Sequence, residues 1–322
     1  MMSIDTFSIK DMLKFVPDRP YLKAYFRAKL GYPLDLDNPK TYNEKLQWMK
    51  LHYHNPLLHK LVDKFEVREY VADLIGEDYL VPLVGVYDSV EEFLDADLPN
   101  EFVAKCTHDS QSTHICTDKS AFDLYSAAEG LGRALRRNWF WQSREWAYKE
   151  VHPRIIVEGY LREEGHLSPN DYKFYFFDGS CTLVQCDVDR FENKEEQLFA
   201  PDWTCLGTSC SSVVPENVIS KPAAFDEMMR LSSVLAQDFP HVRVDWYCID
   251  GHPYFGELTF YTGGGFDPFY GDARHPDALD CRLGESFKLS QVQVAAHECI
   301  AIATLCFNDG SKSEISRWDD DG

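Results

Sequence analysis

One short stretch constrains this chain more than any other. Arg243-Val-Asp245 leads into a turn at Asp250-Gly251, then Tyr254-Phe-Gly-Glu257-Leu-Thr259, then the run Gly263-Gly264-Gly265. The alternation Val242, Val244, Trp246 before the turn, with Tyr254 or Phe255 after it, predicts the two strands of a hairpin. Such a hairpin sets Asp245 and Glu257 on neighbouring strands, where side chains on one face lie within reach of one ion. Two hard oxygen donors suit Mg²⁺ shared with phosphate oxygens. Arg243, two residues before Asp245, leans to the same face. A glycine run directly after the second strand lets backbone N–H groups approach an anion closely. The same pattern also fits a solvated hairpin face, and the rest of the chain has to decide between the two.

Composition narrows the field. At 322 residues the chain is long enough for one large lobed domain or two domains. Hydrophobic residues at 44% and aromatics at 14% make it a folded protein rather than a disordered one. Fifty-three acids against 32 bases leave a formal charge of −21, which excludes nucleic acid as a partner but not a local basic pocket for a small anion. No run reaches the length of a membrane span, and the opening residues lack a signal peptide's apolar centre. The expected location is the cytoplasm. The ten cysteines include no CxxC, and the wider gaps Cys181/Cys186 and Cys205/Cys210 do not suit a tight zinc pair. Free thiols are expected.

The first sixty residues read as helical. Thr41 and Glu44 have the capping-box spacing, and Asn55-Pro56 opens a further helix. A helix over 64–75 stops at Gly76. Strands are expected over 79–87 and 101–106, with a short acidic helix at 90–94 between them. A helix over 120–138 ends in Arg133, Arg136 and Arg137, suited to the negative pole of its dipole. Strands follow at 154–161, 171–177 and 182–188, the last two joined by an Asp178-Gly179 turn. An amphipathic helix spans 225–239, and a terminal helix spans 284–307 before an acidic tail. Strands and helices mix without βαβ alternation, which predicts an α+β fold.

Three upstream features carry chemistry. Lys105 ends a strand and runs into the polar loop 107–113, where a lysine acts as a point charge toward phosphate. Residues 154–161 form a strand that releases Glu158, Gly159, Tyr160 and Leu161, with exposed backbone a purine can use. Asp63-Lys64 begins a helix with Arg68 one turn on. His108 and Asp109 raise a Ser-His-Asp hydrolase, but no G-x-S-x-G elbow is present.

The order of these parts resembles that of ATP-grasp enzymes, and more narrowly the TupA-like ATP-grasp family, named for teichuronopeptide biosynthesis. The likeness rests on Asn43-Glu-Lys-Leu-Gln-Trp48, Leu61-Val-Asp-Lys64, Asp171-Tyr-Lys-Phe174, Asp187-x-Asp-Arg-Phe191 and Tyr254-Phe-Gly-Glu-Leu-Thr-Phe260, and runs from about residue 20 to 290. It implies two lobes of mainly antiparallel sheet with the nucleotide between them. The divisions expected are a helical region 1–62, a small lobe 63–160, a large lobe 161–290 and a tail 291–322.

By the same resemblance, Arg68 and Lys105 match the cations that grip ATP phosphates. Glu158 and the backbone of Gly159, Tyr160 and Leu161 match the adenine hinge, and Asp171 falls where an acid holds the ribose. Asp245 and Glu257 match the Mg²⁺ ligands. Arg243 and Gly263 fall where charge on the acyl phosphate and tetrahedral intermediate is countered. Thr259 departs from the usual asparagine ligand. Ser110 and Ser112 flank Gln111 in the phosphate-covering loop, where glycine is common. Lys173, Asp189, Arg190 and Arg144 are candidates for substrate contact. The activity implied is an ATP-dependent ligase joining a carboxylate to an amine through an acyl phosphate, on a uronic-acid carboxylate in cell-surface polysaccharide synthesis with an amino acid as the amine. A kinase on the same fold and a non-catalytic glycan-binding subunit stay open as alternatives, as does the oligomeric state.

Overall fold

A computed structural model describes residues 13–163, 165–188, 195–269, 275 and 278–292. Four helices open it: Asp18–Leu30 (α1), Tyr42–His52 (α2), Leu57–Leu61 (α3) and Val67–Ile75 (α4). The capping box at α2 forms as the sequence predicts. Glu44 N donates to Thr41 Oγ1 at 3.2 Å, and Thr41 N donates to Glu44 Oε2 at 3.1 Å. Gly76 ends α4 with φ 103°, a conformation that favours glycine.

The small sheet contains Leu83–Tyr87 (β1), Phe102–Cys106 (β2), His114–Cys116 (β3) and Ile155–Gly159 (β4), in the antiparallel order β1-β4-β2-β3. Helices Val90–Asp95 (α5) and Leu124–Leu135 (α6) cover one face, where Phe93 and Leu131 pack on Phe102, Ala104, Cys106, Ile155 and Val157. Side chains alternate across a strand, so Val103 and Lys105 of β2 and Glu158 of β4 project from the other face. A short helix, Phe140–Ser143 (α7), precedes β4.

The large sheet contains Asp171–Phe177 (β5), Ser180–Val188 (β6), Glu195–Phe199 (β7), Cys205–Gly207 (β8), His241–Ile249 (β9) and His252–Thr259 (β10). Its order is β10-β9-β5-β6-β7-β8, antiparallel throughout. Helix Phe225–Ala236 (α8) closes one face, with Phe225 on Phe174 and Trp246 Nε1 donating to Ser232 Oγ at 2.7 Å. Asp178-Gly179 and Asp250-Gly251 take positive φ at both positions, as the tight hairpin turns require. Helix α2 joins this same core through Tyr42, Leu46 and Met49, and Leu279–Ser286 (α9) packs beside it.

Several boundaries differ from expectation. The strand expected over 79–87 begins at Leu83, after a turn of 3₁₀ helix at Glu77–Tyr79 and Pro82, whose missing N–H keeps it out of the ladder. The helix expected over 120–138 is α6 alone. Asp118 and Asp123 side chains take the N–H groups of Ser120 and Ser126, both at 2.9 Å, and delay its start. The helix expected over 284–307 is α9 instead, and it stops where Phe287 leaves helical geometry at φ −90°, ψ 102°. Residues 293–307 lie outside the described residues. Strands β7 and β8 carried no signal strong enough to predict. No helix among the described residues is long and apolar enough to cross a membrane.

Candidate active site

The cleft-facing side of the small sheet gathers two cations on one acid. Glu158 accepts from Arg68 at 3.1 Å through one carboxylate oxygen and from Lys105 at 2.6 Å through the other. The two bases come from separate elements, α4 and β2. Arg68 also donates to Val81 O at 2.9 Å, which fixes its reach. Beside them lies a cleft with about 610 Å³ of empty space, partly open to solvent. Val81, Val103, Ile115, Leu161, Leu167 and Pro169 give it apolar walls, while Lys105, Glu158, Ser168 and Asp171 supply polar atoms. Gly159 N is taken by Pro82 O at 2.8 Å. Past Gly159 the chain leaves the ladder, and Tyr160 and Leu161 line the cleft outside it.

Asp171 links this cleft to the large sheet, whose face opposite α8 carries a continuous, largely buried polar array. Registers place Glu257 opposite Asp245, Asp245 opposite Lys173, and Lys173 opposite Gln185. The neighbouring row runs Thr259, Arg243, Tyr175. Glu257 reaches this face only because the pairing slips between Phe255 and Glu257, leaving Gly256 as a bulge. Without the extra residue, the period of two would turn Glu257 toward α8.

Arg243 is the hub of the array. It donates to both oxygens of Asp245, at 2.7 and 2.6 Å, and to Glu257 Oε1 and Thr259 Oγ1, each at 3.1 Å. Thr259 in turn donates to Glu257 Oε1 at 2.9 Å. Lys173 lies 3.6 Å from Asp171 and in direct contact with Asp187. Gln185 donates to Asp187 Oδ1 at 2.9 Å and accepts from Tyr175 at 2.6 Å. Burial pushes Asp245 up to about 6, against the opposing pull of Arg243. Burial also works against the charge on Lys173, but Asp171, Asp187 and Asp245 hold its ammonium above the ordinary range.

Family comparison bears on this layout. The sequence matches the family described as TupA-like ATPgrasp over residues 44–288. The chain belongs to the TupA-like ATP-grasp family. Among solved structures, D-alanine–D-alanine ligase from Bacillus anthracis is 16% identical with a TM-score of 0.38, over 79% of this chain and 70% of that one. The ligase of the same name from Helicobacter pylori is 11% identical with a TM-score of 0.41, over 78% and 69%. These likenesses are distant, and the family assignment stands on the sequence match. Comparison with curated protein sequences finds no match.

Within this ATP-grasp arrangement most of the expected site residues converge. Lys105, Glu158, Gly159, Tyr160, Leu161 and Asp171 line one cleft. Arg68 joins it through Glu158, and Lys173, Arg243, Asp245, Glu257 and Thr259 continue from Asp171 across the sheet. Both oxygens of the Glu158 side chain are engaged by Arg68 and Lys105, and Tyr160 and Leu161 beyond it line the cleft. Ser112 departs from expectation. It is buried, donates to Asp109 and accepts from Cys106 N at 2.8 Å, and so braces the loop instead of covering a phosphate. Ser110 is exposed at the loop's tip.

Arg144, expected to contact substrate, does not line the cleft. It is 1% exposed, paired with Asp18 at 3.2 Å and set over the rings of Tyr21 and Trp141, each at 4.4 Å. Asp189 and Arg190 lie outside the described residues. His108 is buried and tied to Arg137 O at 3.0 Å, and Asp109 takes up Ser112, so the two form no hydrolytic triad.

Sequence reasoning missed Tyr148. Desolvation, then the carboxylates of Glu145 and Glu257, push the phenol of this half-buried residue well up while Arg243 opposes. An isolated tyrosine after a tryptophan-rich run gives no signal for this. The donor set at Asp245, Glu257 and Thr259 fits a magnesium ion: hard oxygens already converge on one positive charge, that of Arg243. Among the described residues no three His, Cys, Asp or Glu side chains are placed to hold a metal ion by themselves, so other ligands would come from elsewhere, as when substrate phosphates share the ion.

Proposed function

We propose that this protein is a cytoplasmic, ATP-dependent carboxylate–amine ligase that forms an amide through an acyl phosphate. The observation that carries the reading is the unbroken polar path from the cleft at Lys105 and Asp171, through Lys173, to Arg243, Asp245 and Glu257. The nucleotide base would take the apolar walls, with hydrogen bonds from the backbone at Tyr160 and Leu161. Arg68 and Lys105 would turn from Glu158 to the phosphates.

A substrate carboxylate oxygen attacks the γ-phosphorus, ADP leaves, and the amine then displaces phosphate from the acyl carbon while releasing a proton. Catalysis here is positioning and charge balance, with little covalent work for the protein. Arg243 counters charge on the phosphoryl oxygens, and Lys173 keeps the carboxylates around it from repelling the incoming anion. Asp245 and Glu257, with Thr259, would hold magnesium, which neutralises phosphate charge when bound. The finer reading is a uronic-acid carboxylate on a cell-surface glycan or its precursor, with an amino acid as the amine.

Incubation with ATP, Mg²⁺, glucuronic or galacturonic acid and a mixture of amino acids tests this. ADP, inorganic phosphate and an amide by mass spectrometry are expected. Phosphate retained on the product would make the protein a kinase. Glu257→Gln and Lys105→Ala should each lower turnover about 10²–10³-fold in a folded protein, as loss of one preorganised electrostatic group does. Near-normal turnover in either would reject its assigned role.

A further inference from the structure

Leu61-Val-Asp-Lys64 carries part of the family likeness, yet neither Asp63 nor Lys64 lines the cleft. Both belong to the turn that leads into α4, whose Val67 and Val71 lie in the core of the large sheet. Across from that turn stands the small sheet. Asp63 Oδ1 caps the turn, accepting Phe65 N at 2.8 Å and Glu66 N at 3.0 Å. Its other oxygen pairs with Arg154 at 3.2 Å, and Arg154 also reaches Glu66 at 2.7 Å. Arg154 stands just before β4, and its carbonyl accepts Thr107 N at 2.8 Å, where the loop 107–113 begins. Lys64 holds the loop itself. Its backbone N donates to Thr107 O at 3.0 Å, and its ammonium donates to Asp109 O.

These bonds add to those the loop makes within its own lobe. Ser112 Oγ accepts Cys106 N at 2.8 Å and donates to Asp109, while His108 is tied to Arg137 O at 3.0 Å. Thr107, His108, Asp109 and Ser112 are accordingly buried, and Ser110, Gln111 and Thr113 stay exposed. Lys105 before the loop and Thr113 at its end both line the cleft. The loop thus spans the Lys105 end of the cleft, with its base stitched down from two directions and its polar tip presented. A mobile tip would have to be ordered by each arriving ligand, at an entropic cost that a fixed one avoids. Lys64 supplies the fixing from the side of α4. One turn further on, the same segment carries Arg68, which donates to Glu158 at 3.1 Å. A single piece of chain therefore sets the spacing between the cation Arg68 and the loop.

We propose that Lys64 is a positioning residue that fixes the loop 107–113 at the Lys105 end of the cleft, so that Ser110, Gln111 and Thr113 meet the phosphates already in place. The inference rests on the ligase reading and deepens it. The loop acts as a preformed receptor anchored to the larger core, and Asp63 supports it through Arg154.

Hydrogen exchange over residues 106–113 and calorimetry with two ligands, adenosine and a non-hydrolysable MgATP analogue, test the proposal. In Lys64→Met the loop amides, Cys106 N among them, should exchange at least about tenfold faster, as expected when a local anchor is lost. Affinity for adenosine should stay within about twofold of wild type, since the apolar walls lie away from the substitution. The MgATP analogue should bind at least about tenfold more weakly, because the groups that meet the phosphates are no longer held in position. Lys64→Arg keeps a donor of similar reach and should recover most of that affinity. A role in stability alone would lower the melting temperature and weaken both ligands in step, which would overturn the proposal. Faster loop exchange with undiminished analogue affinity would also overturn it, and would leave the ligase reading intact. If Lys64→Met does not fold, Lys64→Gln, whose amide stops short of Asp109 O, decides by the same measurements. Wild-type protein that binds neither ligand would instead reject the ligase reading, and this inference with it.

Discussion

Arg144 and Arg243 show how residue type alone misleads. Both are buried arginines, but one is spent on packing with a single acid, Asp18, and the other on Asp245 and Glu257 in the polar array of the large sheet. Arg144→Ala removes an ion pair and two ring contacts, and should cost about 2–4 kcal/mol. Calorimetric melting should show a clear drop, with turnover per folded molecule unchanged; lost turnover in a stable variant would restore Arg144 to the substrate. Asp245 carries a second prediction. Its acid, lifted by burial to about 6, takes up a proton in the folded state before it does so unfolded. Stability from this group is therefore highest below the ordinary carboxylate range near 4 and declines as pH rises from there to about 6. Metal competes with the proton and has the opposite dependence. Apparent Mg²⁺ affinity in the presence of ADP should be about tenfold weaker at pH 5 than at pH 7.5, one pH unit below that pKa. Equal affinities would mean that another group controls the metal.

At the scale of elements, what could be read from the sequence was local. The capping box of α2, the Asp-Gly turns, and the exact span Asp171–Phe177 follow from side-chain chemistry within a few residues. The bulge at Gly256 does not, because pairing register depends on a partner strand, and that bulge puts Glu257 beside Asp245. Ser112 was misread for a similar reason. Its partners, Cys106 N and Asp109, meet it only when the loop folds back on β2. The end of α9 was also hidden, since contact with α2 shapes it: Lys45 Nζ donates to Gly284 O and Phe287 O, both at 2.6 Å. Gly284→Ala tests that contact. Alanine favours a helix over glycine by about 1 kcal/mol. Here, however, the new methyl would lie 2.1 Å from Lys40 O, a backbone atom with little freedom to move. Overpacking should win, with a net loss of about 1–2 kcal/mol in denaturant unfolding. A stabilised variant would show that α2 and α9 pack more loosely than described.

The described residues form three hydrophobic cores: one under the small sheet, a larger one shared by the six-stranded sheet, α2 and α8, and a third where α1 packs with Leu34, Leu36 and Phe266. The polar faces of both sheets lead into the cleft between them. A nucleotide that contacts both would stabilise the folded chain as a unit. MgADP at a hundredfold excess over its dissociation constant should add about 2.7 kcal/mol, visible as a higher melting temperature. Lys105→Ala should abolish most of that rise, and a full rise in the variant would remove Lys105 from the phosphate site. The overall charge of −21 makes the local cations matter more, because the surrounding field repels a polyanion.

Glu158, held between Arg68 and Lys105, has one last consequence. Both bases are thereby neutralised within the chain itself. On the proposed ligase reading a triphosphate would have to displace this carboxylate, so its net attraction would be the difference between two similar ones, which would favour release of the diphosphate.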